Sequence, residues 1–78
     1  MKKLIEKNWD YTLFQRDDNS LLLSVVCGNV GIYIMDIPLN TDETTLYHEY
    51  GAEYIEKLAE IIVKNSNAEH WQSRDVNK

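Results

Sequence analysis

A cysteine with a histidine as its base is one arrangement for nucleophilic chemistry, and this chain has one cysteine and two histidines. Cys27 ends an apolar stretch just before Gly28, a position typical of a small buried hydrophobic residue. A nucleophilic thiol needs a neighbouring base and an electropositive setting, and nothing in the spacing brings His48 or His70 to the cysteine. We therefore predict that the chain is not an enzyme and has no catalytic residues.

The acidic residues and histidines do not form a metal-binding or phosphate-binding pattern. His48-Glu49 and Glu69-His70 are adjacent pairs whose side chains point in different directions, so neither is a set of metal ligands. Asp17 and Asp18 lie in a short polar segment that is typical of a turn. The sequence has no glycine-rich phosphate loop, and a chain of 78 residues is too short to build a deep pocket. We expect no metal site and no cofactor.

Four glutamates at helical spacing form an acidic stripe, defined here as Glu49, Glu53, Glu56 and Glu60. Steps of four, three and four residues place them within about 60° of each other on one side of a helix. Like charges at this spacing repel by roughly 0.2–0.5 kcal/mol per adjacent pair. Only Lys57 and Lys64 on the same segment offset them. The stripe is therefore either a solvated helix face or a docking surface for a basic partner.

The charge balance restricts the partners that this chain can bind. With 8 basic and 13 acidic residues the net charge is −5, and the basic residues are scattered. Nucleic acids and anionic membranes are bound through clustered lysine and arginine, so we expect neither as a partner. A basic protein is electrostatically compatible. We see no apolar run that resembles a signal peptide or a membrane span, and we expect a cytoplasmic protein.

Apolar and aromatic residues in the first half predict three strands, at residues 8–16, 21–27 and 30–37. The intervening segments favour turns, with polar residues at 17–20 and a tight hairpin at Gly28-Asn29. Short connections favour a three-stranded antiparallel β-meander. The amphipathic helix that follows packs on one face, so residues 1–78 form a single α+β domain. We expect Trp71 to dock onto this body and residues 73–78 to fray.

The helix begins with a clear start signal. Asn40 is a good N-cap and Glu43 stands three residues later, as a capping box requires. Helical spacing continues to Lys64, with a kink or break expected near Gly51 because an unbroken helix would outrun the strands. The predicted buried face contains Tyr47, Tyr50, Tyr54, Leu58, Ile61 and Ile62, with Ile55 at its edge. The tyrosines are interpreted as packing at the edge of the core, with interface anchoring as the alternative.

The second face of the predicted sheet is also apolar, because the strands do not alternate cleanly. In one of the two possible orientations of the third predicted strand, Val30, Ile32 and Ile34 face the helix. The residues that then face away are Tyr33, Met35 and Ile37, joined by Phe14, Leu22 and Val26. Either the two termini cover this face, or it contacts a second copy or another protein. Tyr33 and Met35 therefore join the acidic stripe as candidate partner-binding residues.

Two segments, together with size and acidity, carry a family resemblance. They are the strand Leu21-Leu22-Leu23-Ser24-Val25-Val26-Cys27-Gly28 and the helix pattern Tyr54-Ile55-x-x-Leu58-Ala59-x-x-Ile62. On these features the chain resembles the small acidic immunity proteins of bacterial toxin systems. The resemblance implies a cytoplasmic domain that binds and blocks a cognate toxin, often a basic nuclease. The predicted function is a non-catalytic protein-binding module of this kind, and the alternative is a structural homo-oligomer that associates through the second sheet face.

Overall fold

The computed structural model describes residues 1–28 and 31–77 of the chain. In this part of the chain, strands precede helices: β1 Lys2–Lys7, β2 Tyr11–Gln15, β3 Leu21–Cys27, β4 Tyr33–Pro38, α1 Thr41–Tyr50, α2 Ala52–Lys64 and α3 Glu69–Arg74. The strands form one antiparallel sheet in the order β1-β2-β3-β4. The predicted α+β class, with an antiparallel sheet followed by helical structure, is confirmed.

The sheet has one strand more than the sequence predicts, because β1 was not recognised. The pairing of β1 with β2 shifts register between Lys3 and Ile5. This irregularity lets the neighbours Leu4 and Ile5 both pack against the core, so β1 lacks the period-two pattern that identifies a strand. Residues 8–10, predicted as the start of a strand, form the turn between β1 and β2. Asn29 and Val30, predicted in a hairpin turn and at a strand start, lie outside the described residues.

One face of the sheet packs against the helices and forms the core. Its central cross-strand rows are Tyr11–Val25–Met35 and Leu13–Leu23–Ile37. The helices contribute Ile55, Leu58, Ala59, Ile62 and Trp71 to the same cluster. Met35 and Ile37 are completely buried there, so the predicted orientation of β4 is wrong. The sequence is apolar at both parities in this strand, and a period-two pattern therefore could not choose the buried face.

The helical segment is divided at Gly51, whose φ of 70° and ψ of −147° are accessible to glycine and costly for other residues. The break separates the register of α2 from that of α1. Ile55, predicted at the edge of the apolar face, is completely buried, whereas Ile61, predicted on that face, is half-exposed. The prediction treated residues 41–64 as one continuous helix with one buried face. The break at Gly51 changes which residues of α2 face the core, and this explains the difference.

The first turn of α1 is fixed by the predicted capping box and by an ion pair that the sequence did not predict. The Glu43 N–H donates to Asn40 Oδ1 at 2.8 Å, and the Asn40 N–H donates to Glu43 Oε1 at 3.0 Å. Arg74 of α3 donates two hydrogen bonds to the Glu43 carboxylate, at 3.0 and 2.5 Å. Burial of Glu43 opposes its ionisation, but the bonds from Arg74 and Asn40 outweigh burial and lower the pKa of the carboxyl.

Arg74, the last residue of α3, and the residues after it cover the open edge of β4 through four hydrogen bonds. The Asp36 N–H donates to Asp75 Oδ1 at 2.9 Å, and the Val76 N–H donates to the Asp36 carbonyl at 2.9 Å. The other two bonds run from side chains to carbonyls of β4, from Asn77 to Ile34 and from Arg74 to Pro38. These bonds occupy backbone groups that would otherwise be open to pairing with another strand.

The C-terminal residues therefore differ from their predicted role as a frayed tail. Ser73 and Arg74 belong to α3, and residues 75–77 run along β4; Lys78 lies outside the described residues. Trp71 is buried in the core cluster, as expected for an aromatic residue that docks the tail. The guanidinium of Arg74 lies 5.0 Å from the centre of the Trp71 ring. Their position at the end of the chain predicted fraying, but residues 75–77 hydrogen-bond to the sheet edge.

Candidate functional site

The residues considered for nucleophilic chemistry lie on three different elements of the fold, β3, α1 and α3. Cys27 is buried, and burial, followed by the charge of Asp75, raises the pKa of its thiol. A raised pKa keeps the thiol protonated near neutral pH and makes it a poor nucleophile. His48 lies exposed on α1 and His70 lies exposed on α3. Within residues 1–28 and 31–77, no three His, Cys, Asp or Glu side chains are grouped to hold a metal ion.

The acidic stripe is divided between two helices. Glu49 lies on α1, and the other three glutamates lie on α2; all four are exposed. Each glutamate of α2 has a lysine within ion-pair distance: Glu53 with Lys57 at 3.9 Å, Glu56 with Lys7 at 2.8 Å and Glu60 with Lys64 at 3.1 Å. Among the described residues, Glu49 has no such partner. The stripe is therefore better compensated than the helix sequence alone predicts.

Lys7 joins the acidic stripe to the sheet. Its Nζ donates to Glu56 Oε1 at 2.8 Å and lies 3.3 Å from Asp10 Oδ2. Hydrogen bonds to Glu56 and Asp10 raise the pKa of Lys7, and the bond from Lys7 lowers the pKa of Glu56. These side chains are open to solvent, so water screens their attraction and the pair contributes little to stability. The sequence missed this contact because it missed β1, where Lys7 lies.

An acidic groove of about 300 Å³ runs beside the stripe, lined by Asp10, Glu56, Glu60, Val63 and Lys64. Three of these five side chains are carboxylates and one is an ammonium group, and Lys7 adds a second ammonium group beside Asp10 and Glu56, so a small net negative charge remains to attract a positively charged occupant. Asp10 comes from the turn between β1 and β2, whereas the other four residues come from α2. The helical spacing of the glutamates could not predict that Asp10 lies beside them, because Asp10 belongs to the turn between two strands and not to the helix.

Trp9 precedes Asp10 in the same turn and is 79% exposed. Its φ of 64° lies in the left-handed region, which bulky residues rarely adopt. The sequence predicted Trp9 to be part of a strand, where it would pack on one face. In the structure its indole instead projects from the hairpin turn. A large exposed aromatic side chain is a common anchor of protein interfaces.

The second face of the sheet is the other apolar surface. Two cross-strand rows on this face are apolar, Phe14–Leu22–Pro38 and Val26–Ile34, and a polar row of Thr12, Ser24 and Asp36 lies between them. None of these residues belongs to the core cluster formed with the helices. In the described part of the chain, the N-terminal segment that was expected to cover this face is the edge strand β1, and the tail runs along the edge of β4.

Tyr33 and Met35, the candidate partner-binding residues on β4, lie on the helix side of the sheet. Met35 is completely buried and therefore cannot contact a partner in the folded chain. Tyr33 pairs with Cys27 at the end of the strand and keeps 39% of its surface exposed. The exposed residue of β4 on the opposite face is Ile34, which the sequence directed toward the helix. The acidic stripe is exposed, whereas the second sheet face is only partly accessible: Ile34 is exposed, but Leu22 is buried.

Among the helices of the described residues, none combines the length and apolar composition needed to cross a membrane. Comparison of the chain with models of known protein families, with curated proteins and with solved structures found no match.

Proposed function

We propose that this chain is a non-catalytic protein-binding module that contacts a basic partner through the outer side of α2. The observation that supports this function most is the acidic groove, where Asp10 adds a carboxylate from the sheet to Glu56 and Glu60 from the helix. Carboxylates on one exposed side attract a basic protein and orient it during encounter. A cytoplasmic immunity-type inhibitor, which occludes the working surface of a basic toxin, is the concrete form of this proposal.

The lysines that pair with the stripe do not prevent such binding. Lys7, Lys57 and Lys64 are exposed, and their ion pairs compete with water and salt. An arginine from a partner can bind a carboxylate through two parallel hydrogen bonds, a geometry that lysine cannot reproduce. The partner would thus replace exposed lysine contacts with more directional ones. Trp9, in the turn that supplies Asp10, offers an aromatic anchor beside this charged surface.

Reversing the charge of the stripe is expected to abolish binding to the basic partner. The triple variant Glu53→Lys, Glu56→Lys and Glu60→Lys replaces three exposed carboxylates and should leave the core unchanged, because none of the three is buried. Immobilised chain should capture basic proteins from a lysate of the native host in a salt-sensitive manner, and the triple variant should not. Captured proteins are identified by mass spectrometry, and circular dichroism confirms that the variant is folded.

The matched control reverses the same number of charges elsewhere. Glu6, Asp17 and Glu69 are exposed and lie outside the stripe, so their replacement by lysine changes the net charge equally. This control variant should retain the proteins that the wild-type chain retains. If the stripe variant retains the same proteins as the other two chains, the acidic side of α2 is not the binding surface.

A structural homo-oligomer is the second candidate, because the second sheet face has apolar rows outside the helix-side core and exposes Ile34, although Leu22 in the same face is buried. Association through this face predicts a mass that rises with concentration in analytical ultracentrifugation. Ile34→Lys, which places a charge on the exposed face, should then return the chain to a monomer, whereas Glu6→Lys should not. A wild-type chain that stays monomeric at all concentrations tested rules out this candidate and leaves the first unaffected.

A further inference from the structure

The two edges of the sheet are protected in different ways. β1 carries three exposed lysines, Lys2, Lys3 and Lys7, and its pairing with β2 is irregular between Lys3 and Ile5. Exposed lysines and irregular pairing both discourage a further strand from joining an edge. β4 has a single charged residue, Asp36, and pairs regularly with β3. The protection of its edge therefore depends on the residues at the end of the chain.

Residues 75–77, which we call the strap, occupy most of the backbone groups that β4 directs to this edge. Alternate residues of a strand direct their backbone groups to the same side, and on this side they are Ile34, Asp36 and Pro38. The strap and Arg74 together bond to the N–H of Asp36 and to the carbonyls of all three residues. Proline has no N–H, so the N–H of Ile34 is the one group of this set that the four bonds do not use.

The strap is bound to the edge without being packed into the core. Val76 is 59% exposed, and the core cluster of the described residues contains no strap residue. Two of the strap's bonds use side-chain atoms, Asp75 Oδ1 and Asn77 Nδ2, in place of the regular ladder of a further strand. Trp71 of α3 provides the last core contact before the strap. Segments with few buried apolar contacts open locally at a low cost in free energy, so the strap can leave while α3 stays in place.

Apolar side chains are exposed beside the same edge. Ile32, just before β4, is 73% exposed, and Tyr33 and Ile34 at the start of β4 are 39% and 46% exposed. An antiparallel second copy of β4 fits this edge with the two Ile34 residues opposite each other, and Ile32 of each copy then lies opposite Asp36 of the other. The register centred on Asp36 would instead place two carboxylates opposite each other, which is unfavourable. The edge is therefore complementary to itself in one register.

We propose that the strap keeps this edge closed, and that a second copy of the chain pairs with β4 along the edge when the strap is released. The two β4 strands then satisfy the backbone groups that the strap held. This inference concerns the edge of β4, and it depends neither on the acidic side of α2 nor on association through the second sheet face. Each copy has a net charge of −5, so salt should strengthen this association, whereas it weakens binding to a basic partner.

Loosening the strap in the full-length chain tests this inference by sedimentation velocity over a series of concentrations. The strap variant combines Asp75→Ala, Val76→Pro and Asn77→Ala, which remove the three bonds that the strap makes. We expect it to dimerise at least about tenfold more tightly than the wild-type chain, because a larger fraction of molecules has an open edge. Higher salt should tighten the dimer further. The control Asp17→Ala with Asn67→Ala removes the same charge from exposed sites and should behave as the wild-type chain does.

Two further substitutions in the strap variant locate the contact, with circular dichroism to confirm that each chain is folded. Asp36→Pro removes an edge N–H that the second copy needs and that β3 does not use, so it should restore the monomer. Thr12→Lys places a charge on the second sheet face in β2, away from β4, and should leave the dimer intact. Association that survives Asp36→Pro, or that Thr12→Lys abolishes, overturns the inference. A folded strap variant that stays monomeric at all concentrations tested overturns it as well.

Amide hydrogen exchange in the wild-type chain decides the question where the variants do not fold. The N–H of Asp36 is held by Asp75 of the strap, whereas the N–H of Ile37 points to β3. Opening of the strap alone should make the Asp36 amide exchange at least about tenfold faster than the Ile37 amide. Equal protection of the two amides would mean that the strap opens only when the sheet does, and the inference would then be wrong.

Discussion

Ile37→Ala is expected to lower the free energy of unfolding by about 4 kcal/mol, whereas Ile34→Ala in the same strand should lower it by less than about 1 kcal/mol. Ile37 faces the helices from β4, is completely buried and pairs with Leu23 of β3. Its truncation therefore leaves a cavity. Ile34 points to the second sheet face and is 46% exposed, so solvent can fill the space. Urea denaturation at neutral pH measures both changes.

The two substitutions remove the same atoms, and their difference therefore reports the orientation of β4. A chain of this size has a total stability of about 4–12 kcal/mol, so Ile37→Ala can be largely unfolded. In that case Ile37→Val and Ile34→Val give the same comparison on a smaller scale, with about 1 kcal/mol expected for the buried site. A larger loss at Ile34 than at Ile37 would mean that β4 faces the other way, as the sequence pattern suggested.

Arg74→Ala is expected to lower the free energy of unfolding by about 3 kcal/mol at neutral pH. The substitution removes both hydrogen bonds to Glu43 and leaves that carboxylate largely buried without its cation. It also removes the bond from the guanidinium to the Pro38 carbonyl. Arg16→Ala is the matched control, because Arg16 makes one side-chain bond, to Ser20 Oγ at 2.8 Å, in a turn. It should cost less than about 1 kcal/mol.

The pH dependence identifies how much of this loss is electrostatic. The folded-state pKa of Glu43 lies below its ordinary value of 4.5, so the ion pair contributes fully above that pH. Its contribution declines as the pH falls through the folded-state pKa and the carboxylate becomes protonated. The stability difference between the wild-type chain and Arg74→Ala should therefore narrow between pH 5 and pH 2.5. A difference that stays constant over this range would show that packing, and not the charge of Glu43, accounts for the loss.

Local sequence signals predicted the parts of the fold that depend on neighbouring residues. The capping box of Asn40 and Glu43 and the interruption at Gly51 involve residues close in the chain, and both are present. The orientation of β4 could not be predicted, because both its faces are apolar and the choice depends on which face the helices cover. The partner of Glu43 was equally inaccessible, since Arg74 lies 31 residues away and no periodic pattern connects them.

The candidate site shows the same division between local and long-range information. Helical spacing was sufficient to place Glu53, Glu56 and Glu60 together on α2. Asp10 and Lys7 reach these glutamates only through the pairing of β1 with β2, which the sequence did not indicate.

Cross-saturation NMR with the partner captured by the wild-type chain tests the proposed function most directly, because it identifies the residues in contact with a bound protein. The predicted result is attenuation of resonances at Glu53, Glu56 and Glu60, extending to Trp9 in the turn between β1 and β2. Attenuation confined to the second sheet face, at Phe14, Val26 and Ile34 for example, with the outer side of α2 unaffected, would contradict the proposal that the acidic side of the helix is the binding surface.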